Sequence, residues 1–202
     1  MNRELMKTKD VQKWLKKYGY YKGDIDGISG VLTINAIIEF QSDYFVRKND
    51  IDGIYGINTD NLLRTVINVK ENSKDFKPKE FKCRCGGRFC TGYPDYIRAD
   101  TVKIMQKIRD MIGVTYISSG LRCPKYNSMM KASIPNSRHL TGHAIDFYSP
   151  KTTTLKNRKN IMDNIDNIYY SYCDGYYRYP KKNTHGKISC RAMYTSIHIQ
   201  TI

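Results

Sequence analysis

A chain of 202 residues that is 40% hydrophobic and 12% aromatic can bury a core, which excludes wholesale disorder, and its length suits two small domains of about 75 and 125 residues. The 34 Lys+Arg against 19 Asp+Glu give a formal charge of +15, which favours polyanions such as nucleic acid, an anionic membrane or an anionic wall. No nucleic-acid recognition motif accompanies the cations, which are spread along the chain, and no run approaches the roughly 18 apolar residues of a membrane span. A nucleic-acid partner and membrane insertion are therefore not expected, and the chain is read as a monomer.

The chain opens with an internal repeat. Asp24 to Gly30 reads D-I-D-G-I-S-G, Asp50 to Gly56 reads D-I-D-G-I-Y-G, and each is followed three residues later by a threonine, Thr33 and Thr59. Such self-similarity means two copies of one supersecondary unit, with Asp-Gly making a tight turn before a helix. Val11, Trp14, Leu15 and Tyr18 fall at helical spacing, as do Ile34, Ile37, Ile38 and Gln41, and Leu62, Leu63 and Val66 mark a third helix. Asp26 and Asp52 read as turn and cap residues, and Trp14 as core.

The series Gln12, Leu15, Gly19, Tyr20, Tyr21, Ile25, Asp26, Gly27, Gly30, Thr33, Ala36, Phe40, Gln41 resembles the type-1 peptidoglycan-binding domain. That resemblance implies a small all-α wall-binding domain over residues 1–70, and makes Tyr20, Tyr21 and Tyr55, expected to be exposed, the candidates for stacking on glycan. Residues 71–80 are polar, charged and carry a proline, a linker composition. A short linker would keep both domains on one wall strand and raise the effective substrate concentration.

Three of the six cysteines, Cys83, Cys85 and Cys90, come next. C-x-C-x4-C lacks the C-x2-C knuckle and a nearby C-x2-C partner, so reduced thiols packed in a loop are expected ahead of a structural metal site or a later disulfide. Asp100 can cap a helix whose apolar face is Val102, Met105, Ile108 and Ile112; a strand over Val114 to Ser118 then delivers Ser119, Gly120 and Arg122.

Ser137 to Asp146, S-R-H-L-T-G-H-A-I-D, puts His139 and Asp146 seven positions apart with Gly142 to turn the chain between them. Imidazole nitrogen and carboxylate oxygen suit a borderline ion such as zinc, which in catalytic sites takes three protein ligands and keeps one position open. Of the four histidines, His198 in I-H-I-Q is the natural third ligand. If Gly142 to Tyr148 is extended, His143 points away from Asp146 and is a packed residue. A helix over 151–167 and strands over Ile168–Cys173 and Ser196–Ile202 follow, with His198 and Gln200 on one face of the last and Ile197 and Ile199 on the other.

Together with I-S-S-G-L-R-C-P-K-Y-N at Ile117 to Asn127, this stretch resembles the peptidase M15 (VanY-like) zinc peptidases, and the C-G-G-R-F-C-T-G-Y-P segment before it is similar to their endolysin members. The resemblance implies a multidomain chain, its all-α domain followed over 81–202 by an α+β zinc peptidase domain with an antiparallel sheet. It also implies zinc on His139, Asp146 and His198, metal-assisted peptide hydrolysis, and Arg122 with Ser119 at the substrate. Peptidoglycan is the implied partner, with anionic wall polymers beside it. Where relatives carry a general base before the last histidine this chain has Thr195 and Ser196, and Gln200 replaces the aspartate of H-x-D. Asp174 and His185 are the expected bases, with Glu80 or the substrate itself as alternatives. A D,D-carboxypeptidase and an inactive wall-binding protein are the competing readings. M-N-R-E-L-M-K-T-K-D-V-Q lacks the apolar core of a signal peptide, so synthesis in a host cytoplasm and action on the wall after release are expected.

Overall fold

In each repeat a glutamine from the preceding helix locks the turn. The helices are α1 (Thr8–Lys17), α2 (Val31–Tyr44) and α3 (Ile57–Asn72) in a computed structural model that describes residues 3–131, 133–166, 168–173, 176–179, 182, 184–186 and 196–201. Gln12 Nε2 on α1 lies 2.7 Å from Asp26 Oδ1 and 3.1 Å from Thr33 Oγ1, while its Oε1 accepts from Gly27 N–H. Gln41 on α2 repeats the arrangement with Asp52 at 2.9 Å, Thr59 at 2.9 Å and Gly53 N–H. Asp26 and Asp52 each accept from the backbone N–H two residues on, at Ile28 and Ile54, so they close the turns and do not cap the helices, whose N-caps are Gly30 and Gly56.

The apolar faces of the three helices meet in a core of Val11, Leu15, Ile37, Phe40, Leu62 and Val66. Tyr21 belongs to this core: it is 4% exposed and its hydroxyl donates to Asp24 O, which corrects the expectation of a glycan-stacking ring. Tyr20 and Tyr55 are half-buried, with hydroxyls donating to Asp43 and Asp60. Each keeps an accessible part, and neither is fully exposed. Trp14 packs against the same core and stacks on Tyr18.

The second domain is a sheet with helices on one face. Strands β1 (Tyr116–Ser119), β2 (Ala144–Tyr148), β3 (Tyr170–Cys173), β4 (Tyr176–Tyr179), β5 (Thr184–Gly186) and β6 (Ile197–Gln200) are all antiparallel, in the order β1-β2-β6-β3-β4-β5. Alternation puts Ile145, Phe147, Ile197 and Ile199 on the face covered by α4 (Ala99–Ile112) and α6 (Leu155–Asp163), where Met105, Ile108, Ile161 and Met162 complete the core. Asp146 and His198 point the other way. A short helix, α5 (Pro124–Met129), follows β1.

Residues 71–80 do not form a free linker. Phe76 is 6% exposed and packs with Phe81 and Val69 into the core of the sheet domain, because two apolar groups in this polar stretch have a surface to bury against. Conversely, Tyr93 and Leu121 of the sheet domain are buried in the helical core. Asn61 and Asn68 of α3 donate to the carbonyls of Tyr93, Pro94 and Ile97, so the two domains are docked along α3.

Candidate metal centre

Asp146 and His198 face each other across paired strands, and the register that aligns them also sets Tyr172 of β3 opposite His198. The Tyr172 ring lies 4.5 Å from the imidazole, centroid to centroid. On the other side of β2 a bulge at Ser118 shifts the β1 register, so that Ser119 rather than Ser118 stands opposite Asp146. His139 arrives from a single 3-10 turn, Arg138–Thr141, ended by Gly142 in the left-handed region at φ 71°. A Cβ there would lie 2.1 Å from Tyr96 O, so the position demands glycine on two grounds.

These elements bring one ligand atom each from His139, Asp146 and His198 within 4.8 Å of one another, all three residues buried. His139 Nδ1 donates to Gly120 O at 2.7 Å, since a carbonyl can only accept, which in the neutral imidazole makes Nε2 the lone-pair nitrogen. That Nε2 is buried without a hydrogen-bond partner and lies 3.3 Å from Asp146 Oδ1. His198 Nδ1 reaches the same carboxylate oxygen at 2.5 Å. An orphaned buried lone pair beside a carboxylate and a second imidazole is a donor set that a divalent cation completes, and the residues fit zinc.

Burial by itself would raise the Asp146 carboxyl, but the adjoining imidazoles of His139 and His198 outweigh it and hold the group far below the usual carboxylate range. Burial lowers His198 despite the opposing pull of Asp146. Both shifts favour the forms that bind a cation, a carboxylate and a neutral imidazole.

Arg122, 9% exposed, donates from Nη2 to Asp146 Oδ2 at 2.6 Å and from Nε to Ser119 Oγ at 2.8 Å. The arginine expected at the substrate therefore grips the outer oxygen of a ligand. Ser119, 8% exposed, is occupied in orienting it and is not placed as a substrate contact. Gln200, one turn of the pleat beyond His198, lies with Nε2 3.0 Å from His198 Nε2. His143 stays outside the ligand group, its carbonyl accepting from Thr201 N–H in the sheet.

Of the two expected bases, Asp174 lies outside the described residues, as does Thr195. His185 is on β5 opposite Arg178, four strands from Asp146, or about 19 Å at the usual strand spacing. That separation moves it out of the site. Glu80 is engaged elsewhere, accepting from Lys77 N–H. Ser196 Oγ lies 3.5 Å from Ser118 Oγ, a hydroxyl pair and not a proton acceptor for water near neutral pH.

A three-helix domain is docked on a domain that carries a buried His-Asp-His centre, and the family matches make the pair a peptidoglycan-acting peptidase. In the comparisons with known families, a peptidoglycan binding domain matches residues 7–63, and Peptidase M15 matches residues 74–185. The chain belongs to the peptidase M15 family. No curated protein matches it. Cys123, whose thiol joins those of Cys83, Cys85 and Cys90, carries no signal in the local spacing, because it sits far from them in sequence inside the stretch that supplies Arg122.

Proposed function

We propose that the protein is an endolysin-type hydrolase that holds zinc on His139, Asp146 and His198 and cleaves a stem or cross-bridge peptide bond of peptidoglycan. The unpartnered His139 Nε2 carries the metal part of this reading, and the matched wall-binding domain carries the substrate part. When bound, zinc supplies Lewis acidity and brings the pKa of a water toward about 7. Gly120 O fixes the His139 tautomer, and Arg122 neutralises the outer oxygen of Asp146 while its cationic fork stays beside the reacting centre. Asp174 is the proposed general base; it stands two residues beyond Tyr172, whose ring covers His198.

Anionic wall polymers are proposed to meet a cleft of about 690 Å³ at the β1 edge, which Lys79, Lys82 and Arg84 line together with Tyr116 and Tyr148. Synthesis in a host cytoplasm and encounter with the wall after release belong to the same proposal. No described helix is long and apolar enough to cross a membrane.

The test is digestion of purified peptidoglycan with and without chelator and zinc readdition, the new ends being identified by mass spectrometry, with His198→Ala alongside. Zinc-dependent cleavage that the variant loses supports the proposal, and the ends name the bond. Release of D-Ala alone points to a carboxypeptidase, and wall binding with every peptide intact points to a binding protein.

A further inference from the structure

A second cluster of metal-ligating side chains lies outside the His-Asp-His centre. The thiols of Cys83, Cys85, Cys90 and Cys123 all fall within 4.8 Å of one another, and none is in a disulfide. A tetrahedral zinc with Zn–S near 2.3 Å sets its sulfurs about 3.8 Å apart. Cys85 and Cys90 are already 3.5 Å apart. The pattern C-x-C-x4-C supplies three thiols, and the fourth, Cys123, comes from after β1.

Several features separate this cluster from thiols that merely fill space. Cys83, Cys85 and Cys123 are at most 3% exposed, yet they form a core of their own with only Cys90 and Tyr126 packed on it, apart from both hydrophobic cores. The chain between Phe81 and Ala99 has no helix or strand; Tyr93 and Ile97 tie its far end into the two hydrophobic cores, and the stretch before them, from Lys82 to Gly92, gathers on the cysteine cluster. Backbone N–H groups point at three of the sulfurs at 3.4 Å: Cys123 N to Cys83, Tyr126 N to Cys123 and Gly92 N to Cys90. Donors aimed at sulfur stabilise thiolates, the form that binds metal. Gly86 and Gly87, both at positive φ (66° and 82°), give the tight reversal between Cys85 and Cys90. Arg88 donates from Nε to Cys85 O at 3.2 Å, which sets a cation beside the cluster.

We propose that Cys83, Cys85, Cys90 and Cys123 form a second, structural zinc site that clips the segment after Phe81 to the turn carrying Arg122. All four positions are filled by protein, so the ion takes no part in hydrolysis. Its effect on the catalytic centre is positional: Cys123 follows Arg122 directly, and Arg122 holds Asp146.

Zinc per chain, measured by inductively coupled plasma mass spectrometry on the full-length protein purified under reducing conditions, tests this. The wild type should hold two zinc ions and the His139→Ala/His198→Ala variant one. Cobalt(II) in that variant should show thiolate-to-metal charge-transfer absorption, and mercurial titration of its thiols should release the ion. Cys85→Ser/Cys123→Ser should lose one ion; should it fail to fold, the histidine variant still decides. No metal in the histidine variant with Cys83, Cys85, Cys90 and Cys123 all alkylated in the peptide map, a retained ion without charge-transfer absorption, or a Cys85–Cys90 disulfide in that map would overturn the proposal. Because the histidine variant has no catalytic ligand set, these outcomes do not depend on hydrolytic activity.

Discussion

At the residue scale, the polar partners of the ligands decide how well the centre holds an ion. Gln200 amide faces His198 Nε2, which suits the tautomer that donates from Nδ1 to Asp146 in the absence of metal. With a cation on Nδ1, the proton moves to Nε2 and the amide must turn its oxygen inward to accept it. Gln200→Leu is therefore expected to weaken zinc affinity about 10- to 100-fold in a competition titration, while Gln200→Asp keeps the acceptor and the affinity. Asp174→Asn should lower turnover by about 10²- to 10⁴-fold without changing zinc affinity, whereas His185→Ala should leave turnover near wild type; equal losses from both would sink the assignment of the base. His139 and Asp146 of the candidate centre were legible because one motif sets them seven positions apart with Gly142 between them, and His198 because the last strand's alternation turns it away from Ile197 and Ile199. The Gly120 carbonyl that sets the His139 tautomer was not, since any residue offers a carbonyl and only the folded path of the chain aims it. Cys123 was hidden for a related reason: its fourth-ligand role depends on a contact between segments 33 positions apart, Cys90 and Cys123, that no local spacing encodes.

At the scale of elements, turns and strand registers carry the site, and these are where a substitution should do most harm. Gly142→Ala sets a Cβ 2.1 Å from Tyr96 O at a left-handed φ, and Gly120→Ala sets one 2.4 Å from Phe81 O, in both cases against backbone that has no rotamer to change. Gly142→Ala should cost about 3 kcal/mol or more in urea unfolding and detach His139 from the centre. In the helical domain, Gln41→Leu removes the acceptor of two backbone N–H groups in the second turn and should cost about 2–3 kcal/mol; Gln12→Leu removes the acceptor of one, Gly27 N–H, in the first turn and should cost about 1–2 kcal/mol. A loss much smaller than this at either site would show that water replaces the amide there. The repeats, the three helices and the α4 face were readable from periodicity. Four of the six strands were placed to within a few residues, and the alternation that separates His198 from Ile197 and Ile199 held; β4 and β5 lie in the tyrosine-rich stretch between Asp174 and His185, where no strand was expected. What periodicity does not contain is the bulge at Ser118, which re-aims Ser119 and so Arg122. Nor does it contain the fate of Tyr21, an amphipathic ring whose burial is set by the turn folding over it.

At the scale of the molecule, α3 makes one body of two domains: Leu62 and Val66 belong to the helical core and Val69 to the sheet core. Composition pointed to a linker after α3 because charged residues dominate there, and it could not show that Phe76 and Pro78 are the ones that pack. Polar ties accompany the apolar ones. Asp60, fully buried, accepts from Arg3, Arg64, Met6 N–H and Tyr55, and Arg3 reaches on to Asp95 of the sheet domain at 3.5 Å. Burial pushes the Asp60 carboxyl upward, but these donors, Arg64 first, outweigh it and hold the group below its ordinary 3.8. A carboxyl depressed in the folded state contributes stability that is fully present above the unfolded pKa and is lost as pH falls below about 4 through the folded value. Asp60→Asn should thus cost about 2–3 kcal/mol at neutral pH, where both arginines can rehydrate in part, and should flatten the acid limb of the stability profile. Docking of this kind also fixes how the protein melts. Calorimetry of the intact chain should give one transition whose van't Hoff and calorimetric enthalpies agree near about 140 kcal/mol, the value for a single cooperative unit of this length. Asn61→Ala with Asn68→Ala, which cuts the hydrogen bonds from α3 to Tyr93, Pro94 and Ile97, should split it into two smaller transitions. Two transitions already in the wild type would mean that the shared helix does not couple the domains, and that the wall-binding domain acts on the peptidase by proximity alone.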